Sequence, residues 1–455
     1  MNVGFVNPPS TFLTDQRVFM SLGILRVTTQ LPGAKFLDLS NEKNYYKKIS
    51  EFIVNNSLDV ICLTSTTPHI QIVYKFVKFI KKRFKIKIIL GGPHVTLMYS
   101  SLSKGTDDIK HICDIHFKKL FKYIDTIVIG DGEFAINDAI KTNDKFINAE
   151  NNIDLFISEN TYDSIAIANR EFLDIDSYHY SIDGKKSTNI ISQIGCPYQC
   201  SFCSGRDSKS FNHIRKRSIE NIMKEIEMLH KVYGYEGFMF YDDEINLNKV
   251  YFEKFLHALI DYQKKNNTEF ALRGFTRANL LSDIQAKLMY KAGFRWLLIG
   301  FESGSDKILK NMNKGCMVKD NTKSFEIARN NNLKIKALMS LGHPGESPET
   351  IQESIDWIKS VKPEETDITI ISVYPGSHYF DKSVLIDKDT LVFKTLEDKL
   401  YIKNIDFLKD ANFYKSKSNE YVSFVYTDYL TAEELVKYRL KFEKEINENN
   451  KSMVH

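Results

Sequence analysis

The stretch GCPYQCSFCSGR, from Gly195 to Arg206, holds three of the chain's six cysteines, Cys196, Cys200 and Cys203, in the spacing C-x3-C-x2-C. Thiolates are soft ligands, so three this close point to zinc or to an iron–sulfur cluster. Structural zinc takes four closed ligands. His213 would have to be the fourth, and zinc modules ordinarily pair their ligands in two short clusters, which this stretch does not. A disulfide plus a spare thiol fits poorly, because Cys62, Cys113 and Cys316 are scattered and form no framework. Three thiolates on a four-iron cluster leave one iron without a protein ligand, and an open metal position is what a reactive centre needs. A second concentration of chemistry is FYDDE, with Asp242, Asp243 and Glu244 in a row. Carboxylates so placed either lie on a solvated loop or meet a cation such as an amine.

The elements that must position these groups are read from hydrophobic periodicity. From about residue 188, apolar runs (NIISQIG, GFMFYDD, FALRGFT, WLLIGFE, KIKALMSLG, DITIISVYP) alternate with amphipathic stretches such as SIENIMKEIEMLHKVYG and LSDIQAKLMYKAG, each closed by glycine as helix ends often are. Six strands, each followed by a helix, suit a partial β/α barrel, with working residues just past the strand ends. The first third alternates in the same way, through NVGFVN, KFLDLS, DVICLTST, KIILGG and TIVIGDG. Between the third and fourth runs, Ile70, Val73, Phe76, Val77 and Ile80 recur at helical spacing. This reads as a doubly wound, Rossmann-like parallel sheet, whose ligands bind at the carboxyl ends of the strands. The expected fold class is therefore α/β. A doubly wound domain spans 1–145, a connector 146–187, a partial (β/α)6 barrel 188–385, and a small, mostly helical accessory segment 386–455. In that last segment Thr431 and Glu434 resemble a capping box.

The bulk numbers narrow the function classes. A chain of 455 residues implies two or three domains, and 43% hydrophobic with 26% charged residues is ordinary globular composition. A formal charge of +4 is too small to imply a nucleic-acid partner. No apolar run reaches the length of a membrane span, and MNVGFVNPPS does not read as a secretory leader, so a reducing cytoplasm is the expected setting.

The cysteine spacing, with Phe202 before the last cysteine and placed after the first barrel strand, resembles the radical S-adenosylmethionine superfamily. The resemblance implies a 4Fe–4S cluster on Cys196, Cys200 and Cys203, whose open iron holds S-adenosylmethionine and reduces it to a 5′-deoxyadenosyl radical. It places Asp242, Asp243 and Glu244 by the ammonium of that cofactor. It places Arg277 of FTRANL and Glu302 and Ser303 of GFESGSDKIL by its ribose and methionine ends. Gly342, Gly345 and Glu346 of LGHPGES and Tyr374, Pro375 and Gly376 of YPGSHY match turns beside its adenine. For Arg277 a structural ion pair is a comparable reading.

The first third resembles the cobalamin-binding domain that precedes the barrel in one branch of that superfamily, carried by FVNPPS, SLGILRVTTQL, FLDLS, TSTTPH, LGGPHVT and VIGDGE. The resemblance places Ser65, Thr66, Thr67, Gly91, Gly92, Pro93, Gly130 and Gly132 around a corrin laid on the strand ends. The DxHxxG string of many cobalamin proteins is absent. The nearest string, DIHFKK with Asp114 and His116, lacks the glycine and reads as accidental. His69 and His94 are loop histidines able to contact a corrin amide or phosphate. Cys316 reads as inert rather than as a second catalytic thiol, and Arg215, Lys216 and Arg217 of HIRKRS as helix-start charges rather than a phosphate site.

These features imply an enzyme that uses the cluster, S-adenosylmethionine and cobalamin to methylate an unactivated carbon of a small-molecule or natural-product precursor. Its electron donor would be external, such as flavodoxin or ferredoxin. The same cofactors could drive an oxidative cyclisation or rearrangement without methyl transfer. A reading of another class is a non-catalytic metal or redox-sensing module. Neither nucleic acid nor membrane is expected as a partner.

Overall fold

A computed structural model describes residues 1–410 and 421–451. The first sheet has six parallel strands: β1 (Val3–Asn7), β2 (Lys35–Asp38), β3 (Val60–Thr64), β4 (Lys87–Gly91), β5 (Thr126–Ile129) and β6 (Phe146–Asn148), in the order β2-β1-β3-β4-β5-β6. Helices cover both faces, which is why β1 and β5 are buried at every position and read as continuous apolar runs. Helix Ile70–Lys81 forms where the periodicity places it, with Ile70, Val73, Phe76, Val77 and Ile80 all fully buried. The sheet takes its sixth strand from the start of the stretch read as a connector. That stretch also supplies β7 (Ser181–Ile182), which pairs antiparallel with β8 (Lys185–Ile190).

The second sheet curls as a half-barrel. Short strands β9 (Gln193–Ile194) and β10 (Arg215–Lys216) form a separate ladder. The main sheet runs β15-β14-β13-β12-β11-β8-β7, with β11 (Gly237–Phe240), β12 (Ala271–Phe275), β13 (Phe294–Glu302), β14 (Lys334–Leu341) and β15 (Glu365–Ile370). Its six strands from β8 to β15 are parallel. The first barrel strand sits earlier than its apolar run suggests. Past Ile190 the chain leaves the sheet, because the Ser192 N–H donates to Asp242 Oδ1 at 2.7 Å instead of continuing the ladder. Helix Ile219–Tyr233 ends on Gly234 in the left-handed region, as the glycine predicts.

The accessory segment is small but not built of helix alone. Four antiparallel strands, β16 (Val384–Asp387), β17 (Thr390–Lys394), β18 (Lys399–Lys403) and β19 (Val425–Thr427), precede helix Ala432–Lys451. The strands are short and broken by charged residues, so their alternation is weak in sequence. The capping box is present: the Thr431 N–H donates to Glu434 Oε2 at 2.9 Å, and the Glu434 N–H to Thr431 Oγ1 at 3.2 Å. Among the described residues no helix is long and apolar enough to cross a membrane.

Candidate active site

The cysteine loop follows β9 and is held open by Arg206. This buried guanidinium donates from Nη1 to the carbonyls of Cys196 and Tyr198, both at 2.8 Å, and from Nη2 to that of Ser204 at 3.1 Å. The loop's carbonyls are drawn inward to one cation, and the Cys203 thiol lies 3.8 Å from the Ser204 carbonyl that the same guanidinium binds. Gly195 makes the entry possible. Its φ is +92°, and a Cβ there would lie 1.9 Å from the His213 carbonyl oxygen. All three thiols are free. Burial pushes Cys203 up to about 12 and Cys196 upward, with Arg206 opposing both; a bound metal would take their protons. Among the described residues no three His, Cys, Asp or Glu side chains converge on one ion position. A cluster asks for a different arrangement, since its cysteines each take a different iron. His213 does not complete a zinc set: its Nδ1 faces Asn212 Oδ1 at 2.5 Å and its ring packs on Phe156.

The three acids of FYDDE go to three places. Asp242 is buried and receives both the N–H and the hydroxyl of Ser192, so it braces the strand end. Burial raises it to about 7. Asp243 accepts the Gly195 N–H on Oδ2 at 2.7 Å and opens onto a cavity described below. Glu244 faces the cationic side of the site, and its Oε2 is buried with no hydrogen-bond partner among the described residues. Burial raises it to about 7, against the pull of Lys314 and Arg277. An unpartnered buried carboxylate oxygen beside the cysteine loop fits the ammonium of an amino-acid-like cofactor.

The rest of the barrel mouth is a charged cluster. Arg277 stacks 3.5 Å from the centre of the Tyr198 ring, points Nη1 to Cys200 Sγ at 4.0 Å, and donates to the Lys314 carbonyl. Lys314 pairs with Glu302 at 3.1 Å, and Glu302 also accepts the Ser340 hydroxyl at 2.8 Å. Glu302 closes β13 with φ +68° beside a bulge, a strained conformation for a non-glycine residue, and Gly300 leaves the room for its carboxylate. Phe202 lies between Lys314 and His343. His343, pulled down to about 4 by burial, bridges Ser340 and Tyr379.

Not every residue placed here by resemblance is turned to this mouth. Ser303 hydrogen-bonds Ser354 and is turned to helix Pro348–Val361. A Cβ on Gly342 would point at Val425, Ile370 and Leu435, so that glycine serves contact with the accessory segment. Tyr374, like Phe202, is half-buried against the core, and packing alone does not turn it from the mouth. Lys314, Ser340 and His343 were not read from the sequence; only NMNKG and the glycine turn lie near them in the chain, and neither motif shows a partner. Cys316 points to Asn321, consistent with an inert thiol.

At the strand ends of the first sheet lies a cavity of about 440 Å³. Gly91, Gly92, Pro93, Gly130 and Gly132 line it; Phe5, Cys62, Ile89 and Val128 form its apolar depth, between helices Leu22–Thr29 and Gly132–Ala139. The barrel closes it with Ile191, Ile194, Ser210, Arg215, Tyr241 and Asp243. The donor-poor, mainly apolar lining and the glycine edges fit a broad flat ligand whose face is covered by the barrel. Ser65, Thr66 and Thr67 fall outside this lining. Ser65 donates to the Thr66 carbonyl, Thr66 bonds His69, and Thr67 bonds His94. His69 also meets the Ser10 hydroxyl at 2.6 Å. His94 is fully buried against His116 at 3.1 Å, so His116 is a core residue of helix Asp107–Leu120 and DIHFKK is accidental. Arg215 pairs with Asp131 at 2.5 Å across the two sheets, rather than forming a phosphate site.

Residues 190–358 match the family described as the Radical SAM superfamily, and residues 17–111 match the B12 binding domain. An uncharacterized methyltransferase of Pyrococcus horikoshii is 24% identical over 77% of this chain and 74% of its own length. The anaerobic magnesium-protoporphyrin IX monomethyl ester cyclase of Cereibacter sphaeroides is 22% identical over 76% of this chain and 56% of its own. Among solved structures, the radical S-adenosylmethionine methyltransferase TsrM of Kitasatospora setae superposes with a TM-score of 0.64 at 16% identity, covering 83% of this chain and 74% of that one. At that identity the likeness speaks to the fold. The chain belongs to the radical S-adenosylmethionine superfamily, in the branch with an N-terminal B12-binding domain, and is an enzyme whose cofactors are a 4Fe–4S cluster, S-adenosylmethionine and cobalamin.

Proposed function

We propose that the chain is a methyltransferase acting on an unactivated carbon of a small-molecule or natural-product precursor. One observation carries the reading. The cavity on the first sheet opens toward Tyr241 and Asp243, and Asp243 in turn holds Gly195 at the head of the cysteine loop. A methyl carrier and a radical source would thus face one enclosed space, which is what hydrogen abstraction followed by methyl delivery needs. When bound, the cluster with S-adenosylmethionine supplies a 5′-deoxyadenosyl radical and cobalamin supplies the methyl group.

In this reading Cys196, Cys200 and Cys203 hold the cluster. Glu244 receives the ammonium of S-adenosylmethionine, and Phe202, Arg277 and the Glu302–Lys314 pair order its remaining ends. Gly91, Gly92, Pro93, Gly130 and Gly132 edge the corrin, and the barrel side excludes water. The electron comes from a small carrier such as flavodoxin or ferredoxin. The methyltransferase relative from Pyrococcus horikoshii supports methyl transfer.

The cyclase relative from Cereibacter sphaeroides favours a second reading, radical cyclisation with no methyl moved. Incubating the reconstituted enzyme with S-adenosylmethionine labelled in the methyl group, in extract of its own cells, separates the two. Label in a new product supports methyl transfer. 5′-Deoxyadenosine with a new unlabelled product supports cyclisation.

A further inference from the structure

Several contacts cross between the first sheet and the barrel, among them Arg215 with Asp131, Met20 with Asn189, and Ser208 and Ser210 with Glu150, and one line of them runs from the corrin cavity to the cysteine loop. Helix Pro93–Lys104 starts in the corrin cavity, where Pro93 and Thr96 line the wall. Near its far end, the Ser101 hydroxyl donates to Asp381 Oδ1 at 2.5 Å. The Gly376 N–H is shared between Ser101 Oγ at 2.8 Å and Asp381 Oδ1 at 3.2 Å. The Gly376 carbonyl then accepts the Gly205 N–H at 2.8 Å, and Gly205 is two residues past Cys203. The junction has no slack. Gly376 has φ +75°, and a Cβ there would lie 2.8 Å from Leu97 on the same helix and 3.3 Å from the Gly205 nitrogen. Lys104 also donates to the Asp207 carbonyl, and the Thr106 N–H to the Asp381 carbonyl at 3.0 Å.

Asp381 is fully buried, and its Oδ2 has no hydrogen-bond partner among the described residues. Burial pushes the carboxyl up to about 6, against the bonds from Ser101 and Gly376. A half-satisfied buried acid is costly, and an apolar side chain would fill the space at less cost. What an apolar residue could not supply is one acceptor that gathers a hydroxyl from the first domain and an N–H from the barrel.

We propose that Asp381 is a positioning residue. With Ser101 and Gly376 it ties the helix that rises from the corrin cavity to the loop that carries the cysteines, and so sets the separation of the two cofactors. The proposal rests on the reading that both cofactors bind.

The test is electron paramagnetic resonance of the anaerobically reconstituted holoenzyme, reduced so that cluster and cobalt each carry one unpaired electron. The magnetic interaction between the two spins reports their separation. In Asp381→Leu the interaction collapses to a broad distribution while iron and cobalamin per chain stay at wild-type values. Asp381→Asn, which keeps one acceptor for both donors, retains the wild-type interaction. Ser101→Ala, the milder cut in the same junction, broadens it and serves if Asp381→Leu does not fold. A wild-type interaction in Ser101→Ala, or in folded Asp381→Leu with both cofactors bound, overturns the proposal, even if thermal stability drops. A wild-type chain that shows the cluster but retains no cobalamin overturns instead the reading beneath it, and the positioning role falls with it.

Discussion

The two sheets present their strand ends in opposite ways. Those of the half-barrel carry charge and thiols: Cys196, Cys200, Cys203, Glu244, Arg277, Glu302 and Lys314 crowd one mouth, and several are paired only in part. Those of the first sheet carry glycine, proline and hydroxyls already spent on neighbours, with an apolar hollow beneath. The barrel is arranged to hold a polar, reactive ligand by specific groups; the first domain is arranged to accept a broad one by shape. The same strand-loop-helix grammar serves both, and the loop residues decide which.

Changes on either side should separate cleanly. The largest effect is expected from Cys196→Ala, Cys200→Ala or Cys203→Ala, which should abolish both the cluster and 5′-deoxyadenosine formation, measured by iron content and chromatography, while cobalamin binding persists. Next, Glu244→Gln should weaken S-adenosylmethionine binding about tenfold to a hundredfold, the loss of a charge-assisted hydrogen bond, with iron content unchanged. Equal affinity in equilibrium binding would remove Glu244 from the role given it. On the other side, Gly92→Ala should lower cobalamin per chain and spare iron. Gly92 has φ +99° and a Cβ there would sit 2.5 Å from Thr64 Oγ1, a strain on the order of 1–3 kcal/mol.

The smallest effect is a response to pH of opposite sign in the two regions. In the barrel, Asp242, Glu244 and Glu346 are raised by burial to about 7. They bind protons in the folded chain between their ordinary values and about 7, so barrel stability rises as pH falls through that window. His343, lowered to about 4, offsets one of them. In the first domain, burial lowers His69 to about 4 and His116 to about 3, and pulls His94 well down. These histidines are neutral when folded and protonate near 6.5 when unfolded; Asp131, raised to about 6 by burial, offsets one of the three, so that domain loses stability as pH falls below 6.5. Hydrogen exchange at pH 8 and pH 5, corrected for intrinsic rate, should show slower exchange in the barrel and faster exchange in the first domain at the lower pH.

The half-barrel was the more legible of the two in sequence. Its central strands β13 and β14 are long and largely apolar, and its three cysteines stand in one local motif, so spacing alone keeps Cys196, Cys200 and Cys203 on one loop. Glu244 was legible as one of three acids, but not as the one left without a partner. That distinction depends on Ser192 and Gly195, some fifty residues earlier, taking the other two. Ser303 and Gly342 sit in matching motifs and still turn elsewhere, because Ser354 and Val425 meet them from other elements. In the first domain the doubly wound order was legible from alternation, and the glycine edges of the cavity from GGPH and GDGE. The serine and threonines of TSTTPH were not, since their histidine partners are fixed by packing. The β16–β19 sheet was hidden by its short, charge-broken strands.

In the proposed function one chain brings a radical source and a methyl carrier to a shared space. The most direct measurement is anaerobic reconstitution with iron, sulfide and cobalamin, followed by reduction with S-adenosylmethionine present and analysis of bound cofactors and nucleoside products. About four irons and one cobalamin should be retained per chain, with both 5′-deoxyadenosine and S-adenosylhomocysteine formed, the latter only when cobalamin is bound. Retention of the cluster with no cobalamin, or 5′-deoxyadenosine with no cobalamin-dependent S-adenosylhomocysteine, would contradict the proposed function.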